Sequence, residues 1–196
     1  GCAGNLDACE RHYREAIEVL RELGETTTVA ILQSNLGYAA YQRGDLPRAR
    51  ELLHESLAVQ RAAANSAHLA IGLIYLAAVE IQAGTPEALA LLLEACSALR
   101  RDENMQHLAR LLELAARWLA SKARPAEAAE VLAASVSLRE YACYPVDAGD
   151  HAAHDALVHV LRSALSEASF ALSSARGRAI ARTALLDTVE RMIKQA

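Results

Sequence analysis

From Leu36 to Leu57 small and apolar residues recur at helical spacing on both sides of one glycine. Leu36, Gly37 and Ala40 precede Gly44, and Ala49, Leu53 and Leu57 follow it. Apolar positions three and four apart predict amphipathic helices, and the glycine between them predicts a helix end rather than a strand. The pattern returns along the chain. GNLDACERHYREAI starts at Gly4, GDLPRARELLHESL at Gly44, GTPEALALLLEAC at Gly84 and ARPAEAAEVLAAS at Ala123, a period of 39 or 40 residues. The small residues Cys9, Ala49, Ala88 and Ala128 hold the next common position, with a one-residue slip in the third copy. Upstream of each turn lies a further helical stretch, with Leu73, Leu76 and Ala77 preceding Gly84 as Leu36, Gly37 and Ala40 precede Gly44.

Each unit is thus expected to be two helices joined at a turn. A glycine there adopts the left-handed conformation that other residues reach only at a cost. Asp45 and Thr85 are placed to cap the following helix. Gly37, Ala49, Ala77 and Ala88 allow paired helices to approach closely, while Leu36, Leu53, Leu76 and Leu92 fill the space beside them. One pair cannot bury its apolar face alone, so the units are expected to stack as a solenoid.

Composition narrows the picture. Apolar residues make up 53% of the 196 and aromatics only 4%, with no runs of β-branched residues, so the expected class is all-α. A net charge of −4 with mixed signs offers no basic stripe for phosphates, which argues against nucleic acid as a direct partner. The apolar runs are too short for a membrane helix, and no secretory leader pattern opens the chain. Cys2, Cys9, Cys96 and Cys143 show neither metal-ligand spacing nor a disulfide framework, which suits a reducing cytoplasm.

The segment LGxxA…GDxxxAxxxxxxSL, Leu36 to Leu57, resembles a tetratricopeptide repeat. The unit here is longer than is usual in that family and resembles the variant found in large bacterial signal-transduction ATPases and transcriptional regulators of the LuxR and SARP kinds. The tail adds to this likeness. Leu165, Glu167, Phe170, Gly177, Arg178 and Ala179 match the segment that closes the repeat array in those regulators, with Ser174 where a tryptophan often stands. The resemblance implies a helical-hairpin solenoid with a C-terminal helical cap. The expected units are a partial one at about residues 1–24, then 25–64, 65–103 and 104–142, with the cap at about 150–196 after the loop containing Pro145 and Gly149. The nucleotide-binding loop and DNA-reading helix of such regulators are not in the sequence, which is therefore expected to be part of a longer protein.

Repeat geometry assigns one face of each first helix to the concave surface. That face carries Ile31, Ser34, Tyr38, Tyr41 and Gln42, then Ile71, Ile74, Ala78, Ile81 and Gln82, then Arg110, Glu113 and Arg117 with Trp118 close by. An apolar floor beside a charged end suits a protein or peptide partner. Either that groove is open, or C-terminal helices fold back into it.

Three other features invite chemistry. His151, Asp155 and His159 fall on one helical face with His154 beside them, a spacing that could hold a metal but that a solvated face also produces. Cys9 and Cys96 occupy small-residue positions and are expected to be buried hydrophobes rather than nucleophiles. Glu80 stands where Ala40 packs, so it is expected to reach solvent or to pair with an arginine. Taken together, these readings predict a non-catalytic interaction module that needs no cofactor, with self-association as the alternative.

Overall fold

The computed structural model describes residues 6–63, 66–102 and 104–196, without the side chains of Leu6, Cys9, Ser66, Ala67, Asp102 and Ala148. Gly4 and Cys2, and the side chain of Cys9, lie outside the described residues. Ten α-helices and no strand occur among those described: α1 (Leu6–Glu22), α2 (Thr26–Gln42), α3 (Leu46–Ala62), α4 (Ser66–Ala83), α5 (Glu87–Asp102), α6 (Met105–Ser121), α7 (Pro125–Tyr141), α8 (His151–Ala164), α9 (Glu167–Ala179) and α10 (Leu185–Lys194). None is long and apolar enough to cross a membrane.

The turns behave as their residues dictate. Gly44 and Gly84 have φ of +80° and +71°, and the same position in the third pair holds Ala123 at +57°. There an ordinary side chain occupies the left-handed region, so that turn is strained. Asp45 accepts from Arg48 N at 3.1 Å and caps α3. Thr85 turns its hydroxyl to Glu80 Oε2, 2.6 Å away. Asn104 caps α6 by accepting from Gln106 N and His107 N.

Helices α2 with α3, α4 with α5, and α6 with α7 form three antiparallel hairpins, and α1 packs against α2. The first helices α2, α4 and α6 contact one another in sequence and make the inner layer. The result is the all-α helical-hairpin solenoid expected from the repeat. Its core runs through Leu53, Leu57, Leu73, Leu76, Leu92, Leu111, Leu112 and Leu119, all fully buried. Gly37 lets α3 approach so closely that a Cβ there would lie 2.7 Å from Leu53 Cγ.

A polar position repeats inside this core. Ser56 donates to the Ala30 carbonyl at 2.5 Å, and Ser135 donates to the Ala109 carbonyl at 2.7 Å. Cys96, 40 residues after Ser56 and 39 before Ser135, fills the same place in the middle hairpin and is fully buried. Burial, with the Glu190 carboxylate, pushes its thiol up to about 12, so it stays protonated. Glu80 is also inside and pairs with Arg50 through bonds of 2.6 and 3.0 Å.

After α7 the chain leaves the repeat. Helix α9, not α8, packs along α7, with Gly177 against the Glu130 backbone. Helix α8 turns inward onto α6 and α7, anchored by Leu157 and Leu161. Helix α10 seats Leu185, Val189 and Ile193 against α5, α6 and α7, where Arg100 bonds Asp187 and Glu190 at 2.6 and 2.7 Å.

Candidate functional site

The inner face narrows to a cleft lined by residues of all three first helices. Tyr38 and Tyr41 come from α2, Ile74, Tyr75 and Ala78 from α4, and Arg110, Glu113, Leu114 and Arg117 from α6. Arg139, Asp150 and Ala153 complete the wall. Tyr38 and Tyr41 lie three apart on α2 and so share one helix face. Tyr38 and Tyr75 stack with centroids 4.2 Å apart, and the Arg110 guanidinium lies 5.4 Å from the first ring and 5.8 Å from the second. A planar cation over aromatic faces is held by the ring quadrupoles and is readily desolvated.

The segment between α7 and α8 crosses this face as a strap. Asp147 bonds Arg110 and also accepts from the Tyr144 hydroxyl at 3.0 Å. Asp150 accepts from the Tyr38 hydroxyl and stands 3.6 Å from Arg110. Burial first, then the Asp150 carboxylate, pushes the Tyr38 hydroxyl well above the ordinary tyrosine range, so it remains a donor. Gln42 lies against Gly149, where a Cβ would meet its Nε2 at 1.9 Å.

A buried charge cluster fixes the strap's two ends. Arg139 donates to Glu113 at 3.2 Å and to the Pro145 carbonyl at 3.2 Å, while its Nε has no hydrogen-bond partner among the described residues. His154 Nδ1 stands 3.1 Å from Glu113 Oε1. Burial alone would raise the Glu113 carboxyl, but the His154 hydrogen bond and the charges of His154 and Arg139 hold it below the usual range. The same hydrogen bond raises His154 against the opposing effect of its burial.

The residues assigned to the concave face divide into three groups. Tyr38, Tyr41, Ile74, Arg110 and Arg117 meet in the cleft, with Arg117 donating to the Tyr41 hydroxyl at 3.3 Å. Ile31, Gln42, Ile71 and Ile81 are half-buried beyond its lining, and Gln82 is exposed. Ser34 presents nothing to the groove, because it is buried and bonds Ser56 at 2.7 Å and Gln60 at 3.1 Å. Trp118 is likewise turned into the core.

The histidine face does not gather into a ligand set among the described residues. His151, Asp155 and His159 are exposed, His154 turns the other way to Glu113, and no group of three or more ligating side chains gathers. The helix that covers part of the groove is α8 with its strap, since α10 lies elsewhere. Tyr75, Arg139, Tyr144, Asp147 and Asp150 were not singled out from the sequence. Asp147 in the Pro145–Gly149 loop, Asp150 just after it and the cation Arg110 were the available signal, but only the fold joins them.

Residues 2–62 match the tetratricopeptide repeat family, a span that runs from α1 through α3. No curated protein and no solved structure matches the chain. The match supports a tetratricopeptide-repeat domain, a fold that typically serves as a scaffold for binding proteins.

Proposed function

We propose that the inner face of α2, α4 and α6 is a docking surface for a protein or peptide segment, and that the chain is a non-catalytic regulatory module. The observation that carries this is the convergence of Tyr38, Tyr41 and Tyr75 with Arg110 and Arg117 in one cleft. Amphipathic rings and planar cations make large contacts at small entropic cost, which is the composition of binding hot spots. The 40-residue unit and the tail segment ending in Gly177, Arg178 and Ala179 favour the sensor or scaffold part of a bacterial ATPase-linked regulator of the LuxR or SARP kind.

A library of random dodecapeptides displayed on phage tests the docking surface. Peptides selected on the unsubstituted protein should lose most of their binding to a Tyr41→Ala/Arg117→Ala variant that still melts within a few degrees of the parent. Undiminished binding would place the site elsewhere.

A second reading, self-association, draws on α9. Ala168, Ala171, Leu172 and Ala175 form an exposed apolar stripe there, with Val160 of α8 exposed as well. Sedimentation across a range of concentrations tests it: a fixed monomer mass rejects it, and a Leu172→Glu variant should abolish any dimer.

A further inference from the structure

The strap from Cys143 to Asp150 is attached to the groove in an unusual way. No described side chain from Tyr141 to Asp150 is buried. What holds the strap to the groove is charge and hydrogen bonding: Asp147 to Arg110, Asp150 to Tyr38 and Arg110, and the Pro145 carbonyl to Arg139. The helix that follows is different, because Leu157 and Leu161 are buried and keep α8 in place. The strap can therefore leave without unfolding what lies on either side of it.

Without the strap, the cleft would present Arg110, Arg117 and Arg139 against the single carboxylate of Glu113. Two of its donors, the Tyr38 hydroxyl and the Arg110 fork, would lose their acceptors. A half-buried guanidinium seated over two rings with no counter-ion is costly, so an acidic occupant is favoured there over a neutral one.

We infer that the groove binds an acidic peptide segment, with carboxylates on Arg110 and the Tyr38 hydroxyl, and that Asp147 and Asp150 are an intramolecular stand-in for that ligand. This rests on the docking reading above and names the chemistry of the partner. A tethered competitor acts at an effective concentration on the order of millimolar, so the closed strap weakens the apparent affinity by the ratio of closed to open states. The acidic partner must displace the strap to bind, which makes the strap an autoinhibitory element.

The test uses the full chain and a fluorescein-labelled hexaglutamate, with hexaglutamine as the neutral control, read by fluorescence anisotropy. Asp147→Asn/Asp150→Asn should bind hexaglutamate at least about tenfold more tightly than the parent, the factor a strap closed about ten to one imposes. Adding Arg110→Gln should remove the gain, and hexaglutamine should not bind. Gly149→Leu, which lifts the strap off Gln42 without changing a charge, should give a gain of the same sign. Equal affinity in the parent and both opened variants, or a gain that survives Arg110→Gln, overturns the inference. If the phage-selected peptides still depend on Tyr41 and Arg117 while hexaglutamate shows no gain, only the acidic-ligand inference falls. If neither kind of peptide depends on the groove, the docking reading falls with it.

Discussion

Gly177→Ala is expected to loosen the junction between the repeat array and its last three helices. An added Cβ would lie 1.9 Å from the Glu130 carbonyl oxygen, 2.8 Å from its carbon and 3.1 Å from Ala133 Cβ. Carbon and carbonyl oxygen approach one another to about 3.3 Å at closest, so α9 would have to withdraw from α7 by more than an ångström. The obstacle is backbone inside a helix, which cannot rotate aside. Glycine to alanine within a helix by itself stabilises by about 1 kcal/mol, and overpacking costs typically about 1 to 3 kcal/mol or more. The sign of the change therefore decides between the two effects. A net loss of about 2 kcal/mol lowers the melting temperature of a chain this size by roughly 4 to 8 °C. Far-ultraviolet circular dichroism measures it, and hydrogen exchange localises it, because solenoid stability is a sum of neighbour interfaces and the amides of α8 and α9 should lose protection first. Gly72→Ala is the comparison, since its Cβ would meet only side-chain ends, Gln60 Oε1 at 2.9 Å and Leu57 Cδ2 at 3.0 Å. An unchanged or raised melting temperature for Gly177→Ala, with protection of α9 intact, would refute the reasoning.

Gly37→Leu should destabilise by about 1 to 3 kcal/mol or more through overpacking against Leu53 and the Ala49 carbonyl, and an unchanged urea midpoint would show that the α2–α3 contact is not as tight as described. Ala123→Gly should stabilise by about 0.5 to 1 kcal/mol by relieving the left-handed turn, less the extra chain entropy of glycine; Gly44→Ala should lose a similar amount, and both are read from thermal melts. The pair of His154 and Glu113 sets a pH window. The raised His154 contributes stability that is complete below the ordinary histidine value of 6.5 and is lost as pH rises through its folded value. The lowered Glu113 contributes above the ordinary carboxylate value of 4.5 and loses this as pH falls through its folded value. Docking of α8 should thus be firmest between those ordinary values. His154→Gln should flatten the alkaline side of a plot of unfolding free energy from urea melts against pH by about 1 kcal/mol, and an unaltered profile would show that the contact of His154 with Glu113 does not set it.

The hairpins, their turns and their tight contacts are written locally. Helical spacing on either side of Gly44 and Gly84 specifies two helices and a left-handed turn, and small residues such as Gly37 and Ala49 specify close pairing, because each depends on residues within one repeat. Repetition then determines the stacking, since each unit leaves an apolar face that only a neighbour can cover. The same register brought Tyr38, Ile74 and Arg110 to a common face. What departs from the repeat was settled by tertiary packing. Ser34 shares the helical face of Tyr38 in projection but is drawn inward by Ser56 and Gln60, partners on the second helix of its hairpin. His154 reads as one of a histidine cluster until α8 turns it onto Glu113, 41 residues earlier. Asp150 meets Tyr38 across 112 residues, and a loop broken by Pro145 and Gly149 carries no periodicity from which its path could be projected. Local backbone preference determines elements and their nearest neighbours, whereas the strap's course depends on charges that become close only after the solenoid has formed.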